Sequence, residues 1–174
     1  MPSPSIYQFP PLYTRQPNLL IRQKQLETWV DIISEYCKEN KVWLISREGD
    51  VGNGDVNIFR NNEINRAVPQ LFVNEIWSAM VNKRKAIPHE TSYYVLWRDM
   101  DSWSSLILQW FETVGKLNQV VTLYELTESD ETLEWEFHGM PEPLLQKCLK
   151  PLCVRNRATI MKDENGSPVA IKVV

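Results

Sequence analysis

One order of elements recurs along this chain: helix, strand, helix, β-hairpin, and then the same again. The first round rests on changes of hydrophobic period. Leu26, Trp29, Val30, Ile33, Tyr36 and Cys37 recur at three- and four-residue spacing, which predicts a helix over 19–39. Gln25, Glu27, Asp31 and Glu35 fall on its other faces. Val42-Trp43-Leu44-Ile45 predicts a short strand, 49–55 a turn rich in Gly, Asp and Asn, and 61–66 a short helical turn. Pro69 opens a second helix with the stripe Val68, Leu71, Phe72, Ile76, Ala79 and Met80. That helix ends near Lys83-Arg84-Lys85, cations suited to the negative end of a helix dipole. Residues 86–90 and 93–97 then predict a hairpin.

The second round is similar. Asp99 or Asp101 caps a helix over 101–117 with the stripe Trp103, Leu106, Ile107, Trp110, Phe111, Val114 and Leu117. Residues 120–124 predict a strand and 129–136 an acidic loop. Pro141 starts a helix with the stripe Leu144, Leu145, Cys148, Leu149 and Leu152, whose end Pro151 bends or shortens. Residues 159–161 and 169–173 flank Asn165-Gly166, a hairpin signal. The expected fold class is α+β: two tandem winged-helix domains, 18–98 and 99–174, preceded by an extended proline-rich arm, 1–17. Each domain is small for an independent core. The two are therefore expected to pack together, with the 101–117 helix near the junction and a linker at 98–101 too short for free motion.

The arm carries the first functional expectation. Phe9-Pro10-Pro11-Leu12-Tyr13 lies in a run with Ile6 and Tyr7. Adjacent prolines fix φ and lack N–H donors, so the segment cannot join a helix interior or a central strand. A stiff, aromatic-rich segment loses little entropy on docking in a groove. Burying three such side chains contributes roughly 1.5–3 kcal/mol each before ordering costs. The expectation is that the arm plugs into a partner; the alternative is that it folds back on its own domain. Pro10-Pro11-Leu12-Tyr13 also fits the Pro-Pro-x-Tyr ligand of WW domains.

Other classes find little support. Net charge is −3, with no global pull toward nucleic acid. Residues 1–98 carry 12 Lys and Arg against 10 Asp and Glu; residues 99–174 carry 7 against 12, an imbalance open to a basic partner. The exposed positions of the helices from 69 and from 141 make no basic stripe for phosphate contact. Neither His89 nor His138 has a nucleophile placed beside it by sequence, so no enzyme is expected. His138, Cys148 and Cys153 match no standard zinc spacing. The 49–55 loop lacks the Lys-Ser/Thr of a P-loop, and Gly52 breaks an EF-hand alternation. No metal or cofactor is expected. Three cysteines, each on or beside an apolar stripe, suit reduced thiols in the cytosol. No apolar run reaches membrane-span length, and no secretory leader is read.

Longer stretches carry a resemblance. Residues 9–18, then Arg22-Gln23-Lys24-Gln25-Leu26 and Trp29, resemble the start of the small vacuolar-protein-sorting subunit of ESCRT-II. Leu106-Ile107-Leu108-Gln109-Trp110, Thr122-Leu123-Tyr124-Glu125-Leu126 and Glu136-Phe137-His138-Gly139 extend the resemblance along the chain. It implies tandem winged-helix domains in a heterotetramer, with two copies of this chain and one of each larger ESCRT-II subunit. By this resemblance Phe9, Pro10, Pro11, Leu12 and Tyr13 dock on a larger subunit. A second such motif in some members corresponds to Pro4-Ser5-Ile6-Tyr7, which adds Tyr7 to the docking set. The second domain is expected to recruit the ESCRT-III subunit that starts filament assembly on endosomes, which binds through a basic N-terminal helix. Glu125, Glu128 and Asp130 are the expected attracting positions. The implied role is a scaffold, cytoplasmic and recruited peripherally to endosomal membranes, with no membrane insertion and no nucleic acid. The alternative is a winged-helix nucleic-acid-binding or transcription factor.

Overall fold

In a computed structural model, residues 5–174 are described. The chain is α+β and divides between Trp97 and Arg98 into two compact units.

The first unit contains α1 (Leu19–Asn40), β1 (Leu44–Ser46), β2 (Asp50–Val51), β3 (Val56–Asn57), β4 (Arg60–Asn61), β5 (Arg66–Ala67), α2 (Gln70–Asn82), β6 (Ala86–His89) and β7 (Ser92–Val95). Asn18 caps α1, its side chain accepting from Ile21 N–H at 3.1 Å, and Lys41 ends it in the left-handed region at φ 53°. The five-stranded sheet runs β3-β2-β1-β7-β6, all pairs antiparallel. Its core is a relay of rings. Trp29 of α1 meets Phe59 at 5.4 Å, Phe59 meets Trp77 of α2 at 5.9 Å, and Trp77 stacks on Tyr93 of β7 at 4.4 Å. Gly49, at φ 102°, sits against the Phe59 ring, where a Cβ would collide with it.

The second unit contains α3 (Met100–Thr113), β8 (Val120–Thr122), α4 (Leu123–Glu128), α5 (Glu142–Val154), β9 (Ala158–Lys162) and β10 (Pro168–Val173). Its sheet order is β8-β10-β9. Trp103, Ile107, Trp110 and Phe111 of α3 are buried with Leu144, Leu145, Cys148, Leu149 and Leu152 of α5. The two sheets share a pattern. In each unit the strand after the first helix pairs with the last strand, which pairs with the strand before it.

Several expectations need correction. The segment before α1 is not an extended arm: Ser5–Gln8 and Pro10–Tyr13 each form a turn of 3-10 helix. Proline's fixed φ suits the first turn of a helix as well as an extended chain, so Pro10 and Pro11 start the second turn. Residues 61–66 connect a two-stranded hairpin, β4 to β5, rather than forming a helical turn. The strand expected over 120–124 stops at Thr122. That hydroxyl accepts from Glu125 N–H at 3.0 Å and caps α4, so Leu123 and Tyr124 are helical. The α2 stripe is Phe72, Val73, Ile76, Trp77 and Met80, and Leu71 faces solvent. Gln25, expected on an outer face of α1, is buried. The helix through Pro151 continues to Val154.

Candidate functional site

The N-terminal segment is sorted residue by residue into inward and outward side chains. Tyr7, Leu12 and Tyr13 are buried. Tyr13 Oη donates to the Tyr7 carbonyl at 2.8 Å, which ties the two turns together. Tyr7 Oη donates to the Ile58 carbonyl at 2.8 Å, with the Arg60 carbonyl alongside at 3.2 Å. The rings of Tyr7, Tyr13 and Trp29 meet edge-on, with centroids 5.5–6.1 Å apart. Burial, with Tyr13 beside it, pushes the Tyr7 phenol far above its ordinary pKa; burial raises that of Tyr13 too.

Two buried amides complete the clamp. Gln25 Nε2 reaches the carbonyls of Thr14 at 2.7 Å and Leu12 at 3.0 Å, and its Oε1 accepts from Gln16 N–H at 3.2 Å. Asn61, fully buried, donates from Nδ2 to the Tyr7 carbonyl at 3.1 Å. Trp29 Nε1 donates to the Leu12 carbonyl at 3.1 Å. A segment rich in proline has few N–H donors and many carbonyls in need of partners, and these side chains supply them.

The outward set is different. Phe9 is 53% exposed and Ile6 39%, with Pro10 and Pro11 beside them at the surface. Ile6, Phe9, Pro11 and Ile21 share the wall of a groove of about 340 Å³ whose charged member is Lys24. Leu19, Leu20 and Ile21, in the first turn of α1, are 54–70% exposed. The structure therefore splits the expected docking set: Phe9, Pro10 and Pro11 face out, whereas Tyr7, Leu12 and Tyr13 serve the core. Pro4 of the earlier partial motif lies outside the described residues. Leu19-Leu20-Ile21 was missed by periodicity, although three consecutive apolar residues at a helix start are themselves a signal of exposed apolar surface.

In the second unit, Glu125, Glu128 and Asp130 are exposed, the first two on α4 and the third in the 3-10 turn 130–132. Glu125 also accepts from the Thr122 hydroxyl at 3.0 Å. None of the three has an ion-pair partner among the described residues; nearby Glu131 and Glu136 pair with Lys116 at 3.7 Å and Arg98 at 2.7 Å. Tyr124 on α4 is 72% exposed. The Cys37 and Cys148 thiols are buried, which pushes both up to about 12. Among the described residues no cluster of His, Cys, Asp and Glu is arranged to hold a metal ion, and no helix is long and apolar enough to cross a membrane.

An α+β chain of two compact units, with apolar side chains held outward in the N-terminal segment of the first and carboxylates exposed on the second, has surfaces suited to binding other proteins. The model of the family "ESCRT-II complex subunit" matches residues 6–141, and the chain belongs to that family. It is 52% identical to vacuolar protein-sorting-associated protein 25 of Saccharomyces cerevisiae, with 98% of each chain covered. It is 32% identical to the protein of the same name from Homo sapiens, over 94% of this chain and 93% of the relative. Among solved structures, it resembles subunit VPS25 of the endosomal trafficking complex ESCRT-II at a TM-score of 0.92 and 57% identity, covering 99% of this chain and all of that one. It also matches a chain of the crystallised ESCRT-II complex of VPS22, VPS25 and VPS36, at a TM-score of 0.89 and 54% identity over 98% of each.

Proposed function

We propose that this chain is a non-catalytic scaffold of ESCRT-II in multivesicular-body sorting, each copy held at its N-terminal segment by one of two larger subunits of the VPS22 and VPS36 kind. The observation that carries the reading is the sorted N-terminal segment. Buried Tyr7, Leu12 and Tyr13 hold two 3-10 turns that leave Ile6, Phe9, Pro10 and Pro11 at the surface, and Leu20 is exposed in the first turn of α1. A preformed apolar knob costs little entropy to bind. Both units are read as winged-helix domains. In the second, the order α3-β8-α4-α5-β9-β10 with sheet order β8-β10-β9 supports this; in the first, hairpins stand between β1 and α2 where the second unit has α4.

Two copies of the chain join one of each larger subunit. The second domain then recruits and nucleates ESCRT-III at the endosomal surface, with Glu125, Glu128 and Asp130 attracting the basic N-terminal helix of the initiating subunit. Two copies raise the effective concentration on one filament seed. Co-expression with VPS22 and VPS36 followed by light scattering tests the assembly, and two copies per particle is the expected result. Adding the isolated ESCRT-III helix tests the second domain. Glu125→Lys, Glu128→Lys and Asp130→Lys together weaken that binding without dissociating the core; unchanged binding removes these carboxylates from the reading.

A further inference from the structure

Charge in the second unit is segregated along the chain. Residues 123–136 hold six carboxylates and no cation, whereas 143–162 hold five cations and no carboxylate. The basic run spans α5 and β9, and a groove of about 650 Å³ lies along these two elements. Lys150 and Cys153 line it from α5, Ile160 and Lys162 from β9, and Pro168 from β10. Lys150 and Lys162 are exposed, and neither has an ion-pair partner among the described residues. Two carboxylates near them, Asp163 next in sequence to Lys162 and Asp101 on the wall of a pocket that Lys150 also lines, are engaged elsewhere. The Asp163 carboxylate turns into its own hairpin, accepting from the N–H groups of Asn165 and Ser167 at 2.9 Å each. Asp101 lies 3.7 Å from Arg155.

The second observation is the strand edge. β9 is an outer strand of its sheet, with β10 as its neighbour. An outer strand offers backbone donors and acceptors to an added strand, and Lys162 at the end of β9, with Lys150 of α5 on the same groove, deters basic strands from pairing. The same lysines favour a segment that brings carboxylates.

We propose that the α5–β9 groove is a docking site for an extended acidic segment of a partner protein, laid alongside β9. Alternate apolar side chains of that segment rest on Cys153, Ile160 and Pro168. Its carboxylates meet Lys150 and Lys162. A protein strand suits the site better than nucleic acid because no aromatic ring lines the groove for base stacking. The site shares no residue with the N-terminal segment or with Glu125, Glu128 and Asp130, so it stands apart from the scaffold reading.

The test is a selection from a phage-displayed library of random dodecapeptides on the full chain, with a dT20 oligonucleotide titrated in parallel. Enriched peptides carry Asp or Glu interleaved with apolar residues. They bind the Lys150→Glu, Lys162→Glu variant about tenfold more weakly, and they shift the backbone amide resonances of β9. Both lysines are exposed, so the variant melts as the parent does. Enrichment of peptides without carboxylates, equal binding to the reversed variant, or no enrichment at all overturns the proposal. Salt-dependent dT20 binding that the lysine reversal abolishes overturns it in favour of nucleic acid.

Discussion

Tyr7 and Tyr13 do the work that a sequence reading assigned to a partner's pocket. Each hydroxyl is spent on a backbone carbonyl inside the same unit. Tyr13→Phe removes one buried bond and leaves the Tyr7 carbonyl with Asn61 as its remaining partner; the expected cost is about 1–2 kcal/mol in urea melts. Leu12→Ala removes a buried side chain of the first unit's core and costs about 2–5 kcal/mol by the same measurement. The two phenols also set an alkaline limit. Their folded pKa values lie above the ordinary 10.0, so above that pH the unfolded chain releases protons that the folded chain keeps. The phenols' contribution is full below pH 10 and falls as pH rises beyond it, and the buried Cys37 and Cys148 thiols, raised from 9.0 to about 12, add a fall of the same sign from pH 9. Denaturant melts between pH 8 and 11 check this; a flat profile would mean the phenols are wetter than the structure shows. Phe9→Ala, by contrast, removes a half-exposed ring and leaves the melt within about 0.5 kcal/mol of the parent.

At the scale of elements, what the sequence made legible is what periodicity encodes. The stripe of α1 from Trp29 to Cys37, the α5 stripe and the 158–173 hairpin form near the expected bounds; α3 forms with its Asp99 cap and its stripe from Trp103 to Phe111, but ends at Thr113, short of 117, with Val114 exposed and Leu117 beyond the helix. The misreadings have identifiable causes. Thr122-Leu123-Tyr124-Glu125 carries a β-rich composition, but the Thr122 cap and its bond with Glu125 turn the chain into α4. Thr122→Ala is expected to cost about 1 kcal/mol and to weaken α4 amide protection in hydrogen exchange. Gln25 was invisible as a core residue because its partners are carbonyls of a segment that no local pattern places against α1. The prolines signalled stiffness correctly. They did not say whether φ near −65° would be used in an extended chain or a tight turn, since both accept it. For the candidate site, the region was readable and the side-chain directions were not. The division into outward Phe9 and inward Tyr13 depends on Trp29, Ile58 and Asn61, all distant in sequence.

For the whole molecule, the chain is two compact units and a member of the ESCRT-II family. On the proposed reading the inward residues serve folding and the outward ones assembly, and that separation is measurable. The direct measurement is calorimetric titration of the chain into preassembled VPS22 and VPS36, each variant first checked by thermal melting. Phe9→Ala with Leu20→Ala is predicted to melt like the parent and to bind at least about tenfold more weakly, as expected for losing two apolar anchors at an interface. Parent-like affinity in that folded double variant would contradict the account.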